Sequence, residues 1–529
     1  MSEAFWIRYG TIPGQASPLW AGAKTHRGSL FELPAAARGG LNGASRTAFF
    51  EDVAALNARL GATSESLDLL GRVAREEADV LLTGQQPGFT GGPIYNVHKL
   101  ATILVLARRG TSPGRRPLLP VFWGVTDDTD FGEISWTLLP GAQLAPRKIR
   151  AAAPPPGGRR MVGFLSRSLW RGGIDEIRGA LPSDAPAGVD RWIDQLASLP
   201  GEDWGESFLA LLLHLAGRRP LIVVDGRRTA LLEAAEPLFE RYLLKRREVA
   251  SAVRDGARPF TEAGLAPPLA EEAGERSLFA VSGEERLPGD GEPGRRAPNV
   301  VLRPVLQSFL FPLRGVVLGA SEIDYRIQMK GVYPLLGVDP PALLPRFHAT
   351  LLPPMARAFA TVEEAMEWLE DPDRARRRIE SAARETNLVR LLAELRMALK
   401  AGLRALADLG RDEDRSYPQM TDSAETKILY QIQRLEEGLR GKIRSRRFRE
   451  RPGLAHLHEF LSPRSGPQER ALSALTPGLL YGPGAYDEVR RWAEAWAESW
   501  SGEGDWSQWV LGPARGGAGS RPPAEGEEP

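Results

Sequence analysis

The stretch LLTGQQPGFTGGPIYNVHKL, Leu81 to Leu100, places four glycines and two prolines between an apolar run and the start of a helical pattern. Residues 79–83 (DVLLT) predict a short strand. Residues 94–109 carry apolar side chains at the helical period and end in two arginines. The stretch is therefore predicted to form a strand, a glycine-rich turn and a helix, which is one unit of a parallel α/β sheet.

Further segments along the chain repeat this alternation. The nearly continuous apolar run LLPVFWGV at 118–125 is typical of a parallel strand covered on both faces. The other segments are the strand PLIVVD (220–225), a helix near 230–253, the strand candidates NVVLRP (299–304) and Arg314–Leu318, a helix over Glu322–Leu336, and ALLPRF (342–347). This order predicts an α/β fold with a mostly parallel sheet and helices on both faces.

Two segments interrupt the predicted sheet, and a different pattern follows it. Residues 151–160 (AAAPPPGGRR) are interpreted as a surface linker that opens an insertion, and residues 282–298 as a mobile loop. After about Pro354 long polar helices with apolar seams are predicted. One seam alternates steps of four and three, at Leu388, Leu392, Leu395, Leu399, Gly402, Leu406 and Leu409. A second helix is predicted to open at Asp422 with a capping box to Glu425, giving an antiparallel hairpin that packs on itself or pairs with another subunit.

The composition limits the class of protein. With 529 residues the chain exceeds one ordinary hydrophobic core, and about two to four domains are expected. The net charge of +1 argues against a nucleic-acid partner, and the absence of cysteine excludes disulfides, thiolate-bound zinc and cysteine nucleophiles. No apolar run of about 18 residues and no secretory signal is visible, so a cytoplasmic protein without a membrane segment is expected. The six histidines are scattered, and no metal site is predicted from them.

The glycine-rich turn is the first candidate site. Its backbone N–H groups and the start of the following helix favour an anion, although neither the Walker nor the dinucleotide-binding spacing is present. Gln85 and Gln86 add amide donors and acceptors to the turn, whereas Lys99 in the second helical turn is explained equally well as a residue on a solvent face. A tight structural crossover accounts for the same glycines, so the residues alone leave both interpretations open.

Asp127, Asp128 and Asp130 follow the second predicted strand and form another candidate site. Ligands bind at the carboxyl ends of parallel strands, where carboxylates hold an ammonium group, coordinate Mg²⁺ or act as a general base. An acidic turn or a helix N-cap is the alternative interpretation.

A third candidate lies in GASEIDYRIQMKGVYPLLG, residues 319–337. Glu322 and Tyr325 share one helical face and Gln328 lies toward its edge, but an amphipathic surface helix would show the same pattern. The basic cluster at 442–451 lies at a helix end, where positive charge suits the helix dipole. Phe448 is the one aromatic residue in this cluster, so the repeated aromatic interleaving of a nucleic-acid site is lacking.

Four separated blocks make the sequence resemble the cysteine-adding enzymes of bacillithiol biosynthesis, which are described as cysteine ligases. The blocks span nearly the whole chain and read TGQQPGFTGGPIYNVHK, PVFWGVTDDTDF, NVVLRPVLQSFLFP with GASEIDYRIQ, and LSPRSGPQERALSAL near residue 461. The resemblance implies a Rossmann-like core interrupted by connecting-peptide insertions, with a helical coiled coil used for dimerisation. With the composition, it divides the chain into core parts 1–150 and 220–353, a connecting insertion 151–219, a coiled-coil domain 354–460, a C-terminal helical segment 461–511 on the core, and a disordered tail 512–529.

The resemblance also implies an activity. The family joins the carboxyl group of L-cysteine to the amino group of glucosaminyl-malate, forming an amide, and its members are expected to hold an adenine nucleotide, ATP or ADP. No metal is expected beyond Mg²⁺. Carried onto this chain, substrate binding is assigned to Gly84, Gln85, Gln86, Lys99, Arg303, Glu322, Tyr325 and Gln328. Asp127, Asp128 and Asp130 are the candidate catalytic carboxylates, with Asp128 or Asp130 orienting or deprotonating the attacking amine.

Thr129 marks one departure from the family pattern. The family carries E-D-H-D-F where this chain has Asp127-Asp128-Thr129-Asp130-Phe131, and threonine cannot serve as a base near neutral pH. If the histidine is essential, the chain uses Asp128 or Asp130 instead, or it is an altered or inactive relative that acts as a dimeric scaffold or small-molecule-binding protein.

Overall fold

The structure is a computed structural model, which describes residues 6–12, 29–34, 36, 40–41, 43–111, 115–152, 158–181, 185–381, 387–411, 414, 416–450, 452–500 and 508–513. The described residues form two compact units. The first draws on 1–142, 146–353 and 463–529, and the second on 143–145 and 354–462.

Strands and helices alternate through most of the first unit. The strands are β1 Trp6–Ile12, β2 Asp79–Gln85, β3 Leu118–Gly124, β4 Trp136–Pro140, β5 Pro146–Arg150, β6 Ile222–Asp225, β7 Leu278–Ser282, β8 Glu285–Pro288, β9 Arg296–Pro298, β10 Leu313–Leu318, β11 Ala342–Pro345, β12 Ala349–Leu351 and β13 Gln508–Pro513. The helices are α1 Gly43–Leu60, α2 Ser64–Ala74, α3 Tyr95–Gly110, α4 Phe131–Ile134, α5 Arg167–Ala180, α6 Val189–Ala197, α7 Trp204–Ala216, α8 Thr229–Leu244, α9 Arg246–Glu262, α10 Leu302–Leu310, α11 Ala320–Gln328, α12 Val332–Leu335, α13 Val362–Glu370, α14 Pro372–Ser381, α15 Asn387–Gly410, α16 Tyr417–Glu450, α17 Pro452–Leu461, α18 Gln468–Ala471, α19 Thr476–Tyr481 and α20 Ala485–Glu498.

The first unit is built around a five-stranded sheet of order β11-β10-β2-β3-β6, in which every pairing is parallel. All of β3 and the first five residues of β2 are buried, because helices cover both faces of the sheet. The predicted α/β class with a parallel, Rossmann-like sheet is therefore confirmed.

The strand order creates a topological switch point. From β2 the chain crosses to β3 and β6 on one side, and it later returns to β10 and β11 on the other side. The carboxyl ends of β2 and β10 thus flank a crevice of the kind in which open α/β sheets bind ligands. Since Gln85 of β2 pairs with Gly124 of β3, the segments that follow both strands emerge at this same edge.

A small second sheet of order β1-β13-β12 corrects the prediction for the end of the chain. Gly512 and Pro513, which were assigned to a disordered tail, pair with Ile7 and Trp6 of β1. Local composition gave no sign of this strand because its partners lie far away in sequence. Residues 514–529 of the predicted tail lie outside the described residues.

The prediction of a strand at 299–304 is wrong. Residues from Leu302 onward form α10, in which Leu302, Val305, Leu306 and Phe309 are all buried. Their spacing of three, four and seven is helical, and Pro304 is tolerated because it lies in the first turn. Arg303 therefore sits at the start of a helix.

The mobile loop predicted at 282–298 is also wrong. β7 and β8 form an antiparallel hairpin in which Ser282 pairs with Glu285, and β9 pairs with the other edge of β7. Gly283 takes a positive φ of 58° at the turn. The glycine and charge content that suggested disorder instead supplies this turn and an ion pair between Arg296 and Glu236.

Three predicted helix boundaries shift. The helix near 230–253 is divided at Lys245 into α8 and α9, and the helix over 322–336 is divided into α11 and α12. The second coiled-coil helix begins at Tyr417 rather than at Asp422, because Pro418 suits a first turn. The predicted capping box lies inside this helix.

The second unit contains a helical hairpin. α15 and α16 pack along one another, and Lys400 Nζ of α15 lies 3.9 Å from a Glu425 carboxylate oxygen of α16. His458 of α17 stacks on Trp368 of α13 with ring centroids 3.5 Å apart. This histidine therefore has a packing role.

Candidate active site

The glycines after β2 serve close packing. A Cβ atom on Gly88 would lie 2.5 Å from the Cα of Gly92, and Gly91 and Gly92 adopt positive φ values of 94° and 69°. The N–H groups of Gly88, Gly91 and Gly92 donate within the loop, to the carbonyl oxygens of Gln86, Gly88 and Phe89. The interpretation of this turn as an anion cradle is therefore wrong for these three amides.

Lys99 of α3 forms a buried clamp across the switch point. Its ammonium group donates to Gly84 O at 2.9 Å, to Gln85 Oε1 at 2.9 Å and to Glu322 Oε1 at 2.8 Å. Glu322 also accepts from the backbone N–H of Gly319, and so ties α11 to the carboxyl end of β10. Burial lowers the pKa of Lys99, and the charge of Glu322 opposes that shift.

This clamp corrects both sequence interpretations of Lys99. The side chain is 2 % exposed and does not lie on a solvent face. An ammonium group has three donors, and all three already have partners, so Lys99 has no hydrogen left for a substrate carboxylate. Its contacts hold Gln85 and Glu322 in place.

Gln85 connects the clamp to Tyr95 through a hydrogen bond. With its Oε1 held by Lys99, Gln85 directs its Nε2 to the Tyr95 hydroxyl at 2.9 Å. Burial, with help from the charge of Glu322, raises the pKa of Tyr95 far above its ordinary value, so the hydroxyl keeps its proton. The oxygen accepts from Gln85, and the O–H, which donates to no other residue in the described part of the chain, has a hydrogen left for a ligand. Tyr95 was not among the residues predicted for the site.

A cluster of carboxylates and guanidinium groups lies beyond β3. Arg303 Nη2 donates to Asp127 Oδ2 at 3.0 Å, and Arg286 Nη2 lies 3.2 Å from Asp128 Oδ1. Gln86 Nε2 donates to Asp128 Oδ2 at 2.6 Å. Asp127, Asp128, Gln86 and Arg303, all predicted for the site, are thus brought together. Arg286 was missed because the hairpin that carries it was taken for a mobile loop.

The electrostatics of the cluster favour an ionised Asp128. Burial would raise its pKa, but the hydrogen bond from Gln86 and the charges of Arg286 and Arg303 outweigh burial and lower it. Burial lowers the pKa of Arg303, but the charges of Asp127 and Asp128 outweigh burial and raise it. Asp128 is consequently a poor proton acceptor at neutral pH and a good partner for an ammonium group or an amine N–H.

Thr129 and Asp130 stand apart from this cluster. The backbone N–H of Thr129 donates to Asp128 Oδ1 at 2.7 Å. The carboxylate of Asp130 is exposed and accepts from the N–H of Glu133 at 3.0 Å, as the N-cap of α4. The helix-cap alternative is the one that the contacts support for Asp130.

The remaining predicted residues divide between the crevice and the core. Burial and the charge of Glu322 raise the pKa of Tyr325 to about 12, so its hydroxyl stays protonated. Gln328 is 1 % exposed, accepts from Leu269 N at 2.8 Å and donates to Leu269 O at 3.1 Å. Gln328 therefore holds core segments together with its side-chain groups, and this buried role corrects its assignment to substrate binding.

A cavity of about 210 Å³ opens beside Gln85 and Gln86 at the carboxyl edge of the sheet. Its lining combines the loop after β2 with parts of α4, β4 and α18, and comprises Gln85, Gln86, Gly88, Gly92, Pro93, Tyr95, Glu133, Ile134, Trp136, Thr137, Arg470 and Ala471. Glu133 and Arg470 are its charged lining residues. Neither residue was predicted for the site from the sequence. The Gln-Glu-Arg block at 468–470, which contains Arg470, served only as evidence of the family resemblance.

Buried side chains anchor α18 beside this cavity. Gln468 exchanges hydrogen bonds with the backbone of Leu351, at 2.8 and 3.0 Å. Glu469 accepts from Arg346 Nη1 at 2.7 Å and lies 3.0 Å from His98 Nδ1. The charge of Arg346 outweighs burial and holds the pKa of Glu469 well below its usual range. Buried contacts of the two preceding residues therefore fix the position of the helix that carries Arg470.

No helix in the described part of the chain is long and apolar enough to cross a membrane. Among the same residues, no group of three or more His, Asp and Glu side chains is placed to hold a metal ion.

The parallel sheet, its switch point and the polar groups beside it define a Rossmann-like α/β protein with a candidate ligand site at the carboxyl edge. The family model "Bacillithiol biosynthesis BshC, N-terminal Rossmann-like domain" matches residues 30–288 and 289–347, and "Bacillithiol biosynthesis BshC, C-terminal coiled-coil domain" matches residues 360–492. Because these matches cover most of the chain, it belongs to the BshC family of bacillithiol biosynthesis. The expected family is thereby confirmed.

Curated relatives support this membership. A protein of Symbiobacterium thermophilum named "Putative cysteine ligase BshC" is 28% identical over 497 residues, covering 82% of this chain and 85% of that protein. Proteins of the same name from Carboxydothermus hydrogenoformans and Koribacter versatilis are 26% and 29% identical, and cover 79% and 72% of this chain and 82% and 75% of their own lengths.

Proposed function

We propose that this protein is a cysteine ligase that forms an amide between the carboxyl group of L-cysteine and the amino group of glucosaminyl-malate. The observation that carries the proposal is the Gln86–Asp128 hydrogen bond, which links the cavity beside β2 to the cluster of Asp127, Arg286 and Arg303 at the same sheet edge. Family membership and the names of the relatives support the same reaction.

In this reaction the amine nitrogen attacks the cysteine carboxyl carbon. In the net condensation a C–N bond forms, a C–O bond breaks, and the ammonium nitrogen loses two protons, which leave with the carboxylate oxygen as water. The ionised Asp128 orients the amine through its N–H groups, while Arg286 and Arg303 suit the two malate carboxylates. The Nε of Arg303 is buried without a hydrogen-bond partner among the described residues, so the cluster retains a donor for an anionic group.

Mg²⁺ fits this cluster poorly. Asp127 and Asp128 already lie against Arg303 and Arg286, so their charges are compensated without an ion. We therefore assign no step to a metal.

An adenine nucleotide fits one place better than another. The loop after β2 does not suit phosphate, because the amides of its glycines are already used, and we route no step through it. A cavity of about 490 Å³ at the opposite edge of the sheet is lined by apolar residues and by the arginines Arg72, Arg108, Arg219, Arg490 and Arg491. Of these, Arg108 pairs with Glu494, and Arg219 and Arg490 pair with Asp487, in the same lining. The apolar residues would hold the base of a nucleotide, and Arg72, which forms no ion pair with another of the described residues, would hold a phosphate; the nucleotide would contribute binding energy there and no reacting group.

We also propose that the protein is a homodimer paired through the α15–α16 hairpin and works in the cytoplasm. Leu391, Leu409 and Leu435 of this hairpin are 61%, 75% and 64% exposed. Exposed leucines along paired helices are typical of a surface that another helix pair covers. Leu391→Glu combined with Leu435→Glu should convert a dimer to a monomer in light scattering. Leu244→Glu is the matched control, since Leu244 is 83% exposed in the first unit.

The activity is tested by incubating the protein with L-cysteine, glucosaminyl-malate and ATP and detecting the conjugate by mass. We expect the wild-type chain to form the product. Asp128→Asn should keep the fold and lower kcat/KM about tenfold or more. An absence of product beside an active relative would reject the ligase. It would favour the alternative of a binding or scaffold protein. Thr129→His, which restores the family histidine, tests that alternative, because activity that appears in this variant would indicate a degenerate enzyme.

A further inference from the structure

The cavity beside Gln85 and Gln86 contains hydrogen-bonding groups that the fold does not use. Its volume of about 210 Å³ is below the range of roughly 300–1,000 Å³ that is typical of pockets for larger ligands. A single amino acid is a better match to this space than a whole amino sugar with its malate group. The polar groups lie at its wall together with apolar atoms of Ile134, Trp136 and Ala471.

One part of the wall offers donors to an anion. The Tyr95 hydroxyl accepts from Gln85 Nε2 at 2.9 Å, and its own O–H donates to none of the described residues. Arg470 is exposed at the cavity and forms no ion pair with another of the described residues. Its charge is felt at Tyr95, where it opposes the raised pKa of the hydroxyl. Tyr95 and Arg470 can therefore donate to the same carboxylate.

Another part of the wall offers acceptors to a cation. Gln86 donates both amide hydrogens, to Asp128 Oδ2 at 2.6 Å and to Glu133 Oε2 at 3.2 Å. Its carbonyl oxygen has no hydrogen-bond partner within the described ranges, and the Glu133 carboxylate forms no salt bridge there. An ammonium group is the natural donor to these two acceptors.

We propose that this cavity is the subsite for the cysteine zwitterion, in which Arg470 and Tyr95 bind the carboxylate and Glu133 and Gln86 bind the ammonium group. The inference rests on the proposed function and deepens it by naming the substrate that each part of the site takes. One lining cation and one lining anion suit a zwitterion, whereas the dianionic malate group suits Arg286 and Arg303 outside this wall. The apolar atoms of Ile134 and Trp136 receive the thiol-bearing methylene.

Calorimetry with the full-length protein tests this subsite without turnover. Reduced L-cysteine is titrated into the wild type, Arg470→Ala, Arg470→Lys, Glu133→Gln and the control Arg147→Ala, an exposed arginine on β5. We expect Arg470→Ala and Glu133→Gln to weaken binding about tenfold or more, Arg470→Lys to weaken it less, and Arg147→Ala to leave it unchanged. Glucosaminyl-malate should bind all variants within about twofold of wild type. Cysteamine and 3-mercaptopropionate, which each lack one charge, should bind about tenfold more weakly than cysteine.

The proposal is overturned if the wild type does not bind cysteine, if Arg470→Ala binds it normally, or if Arg470→Ala weakens glucosaminyl-malate equally. The mass assay separates this failure from that of the ligase. If Arg470→Ala forms the conjugate with an unchanged KM for cysteine, the subsite proposal is rejected and the ligase proposal stands. If cysteine binding depends on Arg470 and Glu133 but the wild type forms no conjugate, the subsite proposal stands and the ligase proposal is rejected.

Discussion

Two neighbouring groups of polar residues, both built on the segment between β2 and α3, differ in how fully their hydrogen bonds are used. In the clamp, every ammonium hydrogen of Lys99 has a partner, and Glu322 is shared with the backbone of Gly319. In the cavity, Gln86 and Tyr95 each retain one unused group. The first group holds the crevice together, and the second has capacity for a ligand. Residue type did not distinguish them, because both were polar residues in the same motif.

The largest effect is expected from Lys99→Met, which removes the clamp. Gly84 O, Gln85 Oε1 and the Glu322 carboxylate would lose a buried partner, so the free energy of unfolding should fall by about 3 kcal/mol. Urea denaturation measures this, with Lys330→Met as the control at an exposed lysine. The double variant Lys99→Met/Glu322→Gln should be more stable than Lys99→Met, because it also removes the Glu322 charge that Lys99→Met leaves without its cation. A Lys99→Met protein as stable as wild type would show that the clamp is dispensable.

Gly88→Ala probes the packing of the loop and should have the next largest effect. The added Cβ would lie 2.5 Å from the Gly92 Cα, and such overpacking costs about 2 kcal/mol of unfolding free energy. Gly172→Ala is the matched control, because no atom lies within 4 Å of its added Cβ and it lies in α5. That control should raise stability by about 0.5–1 kcal/mol. Thermal unfolding of both variants tests this contrast.

Asp130→Ala separates a helix cap from a catalytic carboxylate. Losing the hydrogen bond to Glu133 N should reduce the free energy of unfolding by about 1 kcal/mol and leave kcat/KM within about twofold of wild type. Asp128→Asn, in contrast, should lose activity. A large fall in kcat for Asp130→Ala, with little change in stability, would return Asp130 to the catalytic group.

The smallest effect is the pH dependence that Asp128 contributes to stability. Its folded pKa lies below its ordinary value, so its stabilising contribution is present above the unfolded pKa near about 3.9 and is lost as the pH falls through the folded pKa. The difference in unfolding free energy between wild type and Asp128→Asn should therefore shrink in the acid range, below about pH 4. Denaturant titrations across that range measure it. A difference that grows toward acid pH would contradict the lowered pKa.

Sequence patterns predicted the sheet well because their signals are local. The apolar run at 118–125 and the strand–turn–helix at 79–109 were recognised from periodicity and turn chemistry. The same local logic failed at 299–304 and 282–298. In the first, the β-branched residues before Arg303 suggested a strand although the apolar spacing after it was helical. In the second, charge and glycine concealed a hairpin.

The candidate site was predicted in part. Gln86, Asp127, Asp128 and Arg303 lie together because parallel strands deliver them to one edge, and a strand-end rule can anticipate that. Arg470 could not be found in this way. It reaches the cavity only because Glu469 and Gln468 anchor a segment more than three hundred residues away from the loop it faces.

By itself, the sequence determined the α/β class, the positions of the strands β2, β3 and β6, the helical hairpin and the family resemblance. Each of these depends on residues close together in the chain or on a matching series of motifs. Only the tertiary structure decided which polar groups are free. The pairing of Lys99 with Glu322 and the buried place of Gln328 depend on contacts between distant segments, as does the spare hydroxyl of Tyr95. No local pattern records whether a hydrogen bond has already been made elsewhere.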